Sequence, residues 1–195
     1  MHDLENIRIG FAMTGSFCTF EQAFAQAEYL ISCGAELLPV MSWNASGIST
    51  RFGEAAQMRE RLENIAGRKV ICSIEDAEPI GPKRLTDIML VEPCTSNTAA
   101  KLAWSITDTP VTMAVKSHLR GQKPVVLALA SNDSLAGTLK NIGMLSNAKQ
   151  YYFVPLRQDD AEKKPNSLVA DFSKTADTLI NALSGRQIQP SVIQI

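Results

Sequence analysis

Histidine is nearly missing from this chain: His2 and His118 are the two in 195 residues. That leaves little for imidazole acid–base chemistry or a histidine metal site. Cysteine is sparse and scattered. Cys18, Cys33, Cys72 and Cys94 form no CxxC pair and have no histidine-rich partner set. A disulfide framework and a metal centre are therefore not expected. Charge of either sign is not in excess, with 19 basic and 20 acidic side chains and a net charge of −1. The balance argues against nucleic acid or an anionic membrane as the main partner. No apolar run approaches membrane-spanning length, and Met1 to Asn6 lack the basic and apolar regions of a signal peptide. The expected compartment is the reducing cytoplasm. The phosphate fingerprints are missing too. Thr14-Gly15-Ser16 has no lysine, and Gly10 and Gly15 are spaced wrongly for GxGxxG, so a dinucleotide site is poorly supported.

What is present is an ordinary globular composition, 45% hydrophobic and 20% charged. The length suits a single domain over residues 1–195. Short apolar runs alternate with helical patterns. Ile7 to Met13 reads as a buried strand, and Phe20 to Cys33 as a helix stopped near Gly34. Glu36 to Met41 reads as a strand whose Pro39 favours an edge or a strand end. Ser42 to Arg51 reads as a loop and Glu54 to Ile65 as a helix ended by Gly67. Val70 to Ser73 is a short extended piece, and Pro79 to Lys83 is too punctuated for regular helix. Ile88 to Val91, Pro124 to Ala130 and Tyr151 to Val154 read as further core strands. Helices are expected from Pro110 to about Leu119, from Thr138 to Asn147 and from Ser173 to Leu183. The polar stretch 155–167 reads as a surface loop, and 185–195 as a tail. Strand–helix alternation predicts a three-layer α/β fold with a doubly wound, Rossmann-like or flavodoxin-like parallel sheet.

In such a sheet the strand ends gather on one edge, where ligands bind. Four ends share small polar residues: Thr14-Gly15-Ser16, Ser42 to Ser46, Pro93 to Thr98 and Ser131-Asn132-Asp133. Each is consistent with turn chemistry alone, and Thr95, Ser96 and Asn97 could simply cap a helix. Their coincidence on one edge points to a site. Backbone N–H groups and hydroxyls from Ser16, Ser42 and Asn44 could hold a single phosphate. Trp43 and Phe52 could cover a flat ring or serve as core. Arg51, Lys101 and Arg120 are possible anion partners, or solvated surface charges. Cys94 has no cation beside it and reads as a small buried residue, not a nucleophile.

Thr14-Gly15-Ser16, followed later by Pro93-Cys94-Thr95-Ser96-Asn97-Thr98-Ala99-Ala100-Lys101 and Asp108, resembles the FMN-binding flavoprotein superfamily. That superfamily includes the peptidyl-cysteine and phosphopantothenoylcysteine decarboxylases. Further runs, among them Thr50 to Glu54, Glu78 to Lys83, Asp108 to Lys116, Gln158 to Asp160 and Lys163 to Ser167, are similar to its dipicolinate-forming branch from spore-forming bacteria. The resemblance implies FMN at the sheet's C-terminal edge, with Thr14, Gly15, Ser16, Ser42 and Asn44 toward the phosphate. Phe52, Pro93, Thr95, Ser96, Asn97, Thr98 and Ser131 complete the cofactor set it implies, with Asn97 and Lys101 in catalytic roles. It also implies a trimer-based homo-oligomer, a small dicarboxylate substrate, a dinucleotide-binding partner subunit and a place in the mother cell of a sporulating bacterium.

One departure bears on the chemistry. The cysteine decarboxylases carry a histidine shortly before the third core strand, and here that region reads Glu78-Pro79-Ile80-Gly81-Pro82. The expectation is accordingly an oxidoreductase that dehydrogenates a dihydropyridine dicarboxylate, with Asp133 or Glu54 as proton acceptor. An FMN-dependent decarboxylase, a prenyltransferase-like relative and a non-catalytic flavin-binding partner stay open as alternatives.

Overall fold

A computed structural model describes residues 4–193. His2 and the end of the expected tail lie outside the described residues. The chain runs β1 (Arg8–Met13), α1 (Phe20–Ser32), β2 (Glu36–Met41), α2 (Trp43–Gly47), α3 (Ala55–Ala66), α4 (Ile74–Ala77) and β3 (Ile88–Cys94). It continues through α5 (Ser96–Ala103), α6 (Pro110–Leu119), β4 (Val125–Ser131), α7 (Leu139–Ser146), β5 (Tyr151–Phe153), β6 (Leu156–Asp160), β7 (Lys164–Ala170) and α8 (Thr175–Leu183).

The strands β2, β1, β3, β4 and β5 lie in that order, all parallel. This is the doubly wound, flavodoxin-like arrangement that the alternation predicted. Because right-handed crossovers leave β1 and β3 in opposite directions, α1 and α6 cover opposite faces. Phe11, Leu90 and Leu127 are fully buried between them. Strands covered on both faces read as continuous apolar runs, which is why the core strands were visible in the sequence. Pro39 sits on the edge strand β2, where Ile71 bridges Val40 by donating its N–H to the Pro39 carbonyl. Gly67 ends α3 at a φ of 65°, a left-handed conformation open to glycine. Among the described residues no helix is long and apolar enough to cross a membrane.

Three expectations change. The stretch 155–167 is not a loop. It forms β6 and most of β7, an antiparallel hairpin, and β7 pairs antiparallel with Ala130 and Ser131 at the end of β4. The hairpin leans on the sheet end and buries few side chains, so its strands carry charges a buried strand would not. Its turn signal was Asp160, whose carboxylate accepts the Glu162 and Lys163 N–H groups. The third core strand also outlasts Val91 and runs through Glu92 and Pro93 to Cys94. A register shift between Val91 and Cys94 removes the need for a donor at Pro93. Finally, the 42–51 segment holds the short helix α2, capped by Ser42, whose hydroxyl oxygen accepts the Ala45 N–H at 3.2 Å.

Candidate functional site

After β1 the chain turns to one side of the sheet, and after β2 it crosses to the other. The ends of β1 and β3 therefore meet where the strand order reverses. Thr14, buried at the end of β1, ties this junction. Its N–H and hydroxyl both donate to the Pro93 carbonyl, at 3.1 and 2.7 Å. Its hydroxyl oxygen accepts the Thr95 N–H at 2.9 Å. The Ser42 N–H donates to the Met13 carbonyl at 3.0 Å, which brings in the end of β2.

Thr95 is the N-cap of α5. Its hydroxyl accepts the Thr98 N–H at 3.3 Å and donates to the Thr98 hydroxyl at 3.1 Å. Lys101, two turns on, places its amine 2.9 Å from both Asp108 oxygens. Thr109 then starts α6 with a reciprocal capping box to Thr112.

These elements enclose a cavity of about 250 Å³. Thr14, Gly15, Ser42 and Asn44 line one side; Thr95, Asn97, Thr98 and Lys101 line the other. Eight of the expected site residues thus share one cavity. Trp43, Asp108 and Thr109 complete it. Asp108 had supported the resemblance without a role, and Thr109 was missed. The Thr109-Pro110 pair was its signal, a cap followed by proline at the first helical position. The Asn44 and Asn97 amides make no hydrogen bond among the described residues and face solvent. Lys101 and Asp108 cancel in charge, so the remaining wall is neutral and rich in hydrogen-bonding groups.

The other expected residues lie elsewhere. Ser16 turns the chain, its carbonyl accepting from the Thr19 N–H and hydroxyl. Pro93 is buried in β3 and contributes its carbonyl to Thr14. Phe52 lies over a neighbouring apolar cleft with Phe17, Phe20 and Met58, its ring 4.8 Å below the Arg51 guanidinium. Ser131 and Ser96 belong to a separate cluster around Asp133. The Ser131 hydroxyl donates to Asp133 at 2.5 Å and the Thr138 hydroxyl at 3.0 Å. These hydroxyls, Ser131 foremost and Thr138 and Ser96 after it, hold the Asp133 carboxyl below its ordinary range. That makes Asp133 a poor proton acceptor at neutral pH. Glu54 accepts from the Ser49 hydroxyl at 2.6 Å and is not on the cavity wall. Arg120 lies at the opposite edge of the sheet, beside Glu78. Burial pushes the Cys94 thiol up to about 12, so it is inert. Among the described residues no cluster of His, Cys, Asp and Glu could hold a metal ion.

A family model described as Flavoprotein matches residues 1–183. The B subunit of dipicolinate synthase from Bacillus subtilis is 43% identical over 194 residues, covering 100% of this chain and 97% of that protein. Among solved structures, the dipicolinate synthase B subunit of Bacillus halodurans superposes with a TM-score of 0.90 at 37% identity, covering 98% of both chains. Burkholderia xenovorans DmrB in complex with FMN, described as a cubic protein cage for redox transfer, shares the fold. Its TM-score is 0.68 at 21% identity, over 92% of this chain and 96% of its own.

Proposed function

The chain belongs to the flavoprotein family, and from that premise we propose that it is the FMN-carrying B subunit of a dipicolinate synthase, an oxidoreductase. Its reaction is the oxidation of a dihydrodipicolinate-type intermediate to dipicolinic acid, in the mother-cell cytoplasm of a sporulating bacterium. The observation that carries this reading is the 43% identity along the full chain to the B. subtilis protein. A dinucleotide-binding partner, the A subunit of dipicolinate synthase, completes the enzyme.

The residues present fit the cofactor. Around Gly15, Ser42 and Asn44 the wall offers a hydroxyl and an amide and no free carboxylate, as a phosphate monoester requires. Asn97 carries an unpaired amide that can give and accept at the polar edge of a flat heteroaromatic ring. A cavity of about 250 Å³ is smaller than the roughly 300–1,000 Å³ of ordinary ligand pockets, so one protomer encloses only part of a flavin. Trp43, which is 52% exposed, and a second copy of the chain would cover the rest. This supports a homo-oligomer, which we take to be trimer-based.

Bound there, FMN supplies a two-electron acceptor for dehydrogenation of a dihydropyridine dicarboxylate. Asn97 orients the reacting rings. Lys101, held by Asp108, would pair with one carboxylate of the substrate. Asp133 is too acidic and Glu54 too remote to serve as the base, so the ring proton passes to water.

The test is the purified protein mixed with FMN and passed over a sizing column, then combined with its dinucleotide-binding partner and a dihydrodipicolinate-type substrate. A flavin band should co-elute with the protein and bleach when substrate is added without an oxidant. Elution of all flavin at small-molecule volume would sink the cofactor assignment. A bound flavin that does not bleach would sink the redox role.

A further inference from the structure

The cavity at the sheet's other edge is larger than the one at the switch point. It encloses about 710 Å³ where β1 and β4 begin, beneath the turn that follows Ile80. Arg8, Arg84, Arg120 and Lys123 all line it. We propose that this basic cavity is a second ligand site, which takes a small polyanion carrying two or more phosphate or carboxylate groups.

Charge is the first ground. Asp87 is shared by two of the cations: the Arg8 guanidinium donates to both of its oxygens, at 2.9 and 2.7 Å, and Lys123 donates at 3.1 Å. Glu78 faces Arg120 at 3.3 Å in an exposed pair. Arg84 has no acidic partner among the described residues. Four cations thus stand against Asp87, Glu78 and, across the strand pair from Arg8, Glu36, which Arg68 also faces at 3.9 Å. Like charges held together around a concavity cost energy unless an anion joins them.

Preorganisation is the second ground. Arg8 is fixed not only by Asp87 but also by donating to the Arg84 carbonyl at 2.8 Å. Lys123 is fixed by donating to the Thr86 carbonyl at 2.5 Å. The wall around them is rigid. The Ser117 hydroxyl accepts the Gly81 N–H at 2.8 Å, and a Cβ at Gly81 would fall on the Ser117 carbonyl. His118 adds no charge. Its Nε2–H donates to the Pro124 carbonyl at 3.0 Å and its Nδ1 accepts from the Thr86 hydroxyl at 2.8 Å, which fixes the neutral ring. A cavity of this size suits a small molecule better than a flat protein surface. Nothing in the flavin reading uses these residues, so the two stand or fall separately.

The test is calorimetric titration of the full chain with inorganic pyrophosphate and, separately, with dipicolinate. Both are run on the wild type, the Arg84→Ala/Arg120→Ala double variant and Asn97→Ala. Both arginines are exposed, so the double variant should fold and bind FMN normally. At least one probe should bind the wild type, bind the double variant at least tenfold more weakly, and weaken as salt rises. Binding by pyrophosphate alone identifies a phosphate site, and by dipicolinate alone a carboxylate site. The proposal is overturned if neither probe binds at millimolar concentration. It is equally overturned if binding survives in the double variant, or is lost in Asn97→Ala instead, which would place the probe in the flavin cavity.

Discussion

Replacing Glu92 with glutamine should change how stability depends on pH, and the structure fixes the sign. Glu92 is fully buried on β3. One carboxyl oxygen accepts the Thr175 hydroxyl at 2.7 Å; the other, Oε1, is the one buried side-chain N or O atom without a partner among the described residues. Burial pushes this carboxyl up from 4.5 to about 8, opposed only by the Thr175 bond. The folded protein therefore keeps a proton that the unfolded chain gives up above pH 4.5. Stability from this group is fully present below pH 4.5 and is lost as pH rises toward 8, at about 1.4 kcal/mol per pH unit. Over that span the loss is on the order of 5 kcal/mol, a large part of a domain's stability.

His118 works the other way. Burial lowers it from 6.5 to about 4, so its contribution is present above pH 6.5 and lost as pH falls toward 4. Between pH 4.5 and 6.5 the two slopes cancel, so the wild type should be nearly flat there and weaken from 6.5 to 8. Glu92→Gln keeps an acceptor for Thr175 and cannot ionise. Its curve should rise from pH 4 to 6.5, driven by His118 alone, and then level. Urea unfolding at intervals from about pH 4 to 9, without added flavin, reads both curves. The offset at any one pH carries no information, because glutamine and glutamic acid pack differently; the growing gap does. Parallel curves between about pH 5 and 8 would mean that Glu92 is ionised in the fold, and the burial argument would be wrong.

Three further outcomes follow from the site. Thr14→Val should lower stability by about 1–3 kcal/mol in urea unfolding, because the Thr95 N–H loses its acceptor, while the Pro93 carbonyl loses one of two donors and keeps the residue-14 N–H. Thr95→Ala removes the α5 cap and should cost about 1 kcal/mol by the same measurement. Lys101→Ala should leave urea unfolding within about 1 kcal/mol of wild type, since its ion-pair partner Asp108 is exposed, while slowing substrate-dependent flavin bleaching at least tenfold.

The sequence made the parallel core legible because its strands are buried on both faces. The Ile88 to Val91 run and the Val125 to Ala130 run can be little else once helical patterns separate them. The same logic hid what lies at the sheet's end. Arg157 and Lys164 belong to strands, yet composition assigns such residues to loops, because that hairpin is covered on too little of its surface to need apolar residues. Glu92 and Pro93 hid the end of β3 in the same way, since one is charged and the other lacks a donor. In the candidate site, small polar residues at strand ends pointed to the edge where the cavity lined by Thr14, Ser42, Thr95 and Asn97 lies. They did not separate Ser96 and Ser131 from Thr98 and Asn97. Neighbouring helix positions face different neighbours, and only the packing shows that Ser96 turns to Asp133.

That distinction reorders what each cavity residue can do. The Thr14 hydroxyl is spent, donating to Pro93 and accepting from Thr95. The Thr95 hydroxyl is spent on Thr98. Ser42 and Thr98 use their oxygens as acceptors, and each keeps a hydroxyl proton to give. Asn44 and Asn97 keep everything. Residues that look equivalent as small polar side chains therefore divide into those that build the edge and those left to meet a ligand. A substitution of Thr14 or Thr95 should act on folding first, and under the proposed function on flavin second. Under the proposed function, a substitution of Asn44 or Asn97 should act on flavin binding alone, since neither side chain bonds to the fold. Asn97→Ala should thus separate binding from stability where Thr95→Ala cannot. Coincident losses of stability and flavin affinity in both variants would mean that the amide, too, belongs to the scaffold.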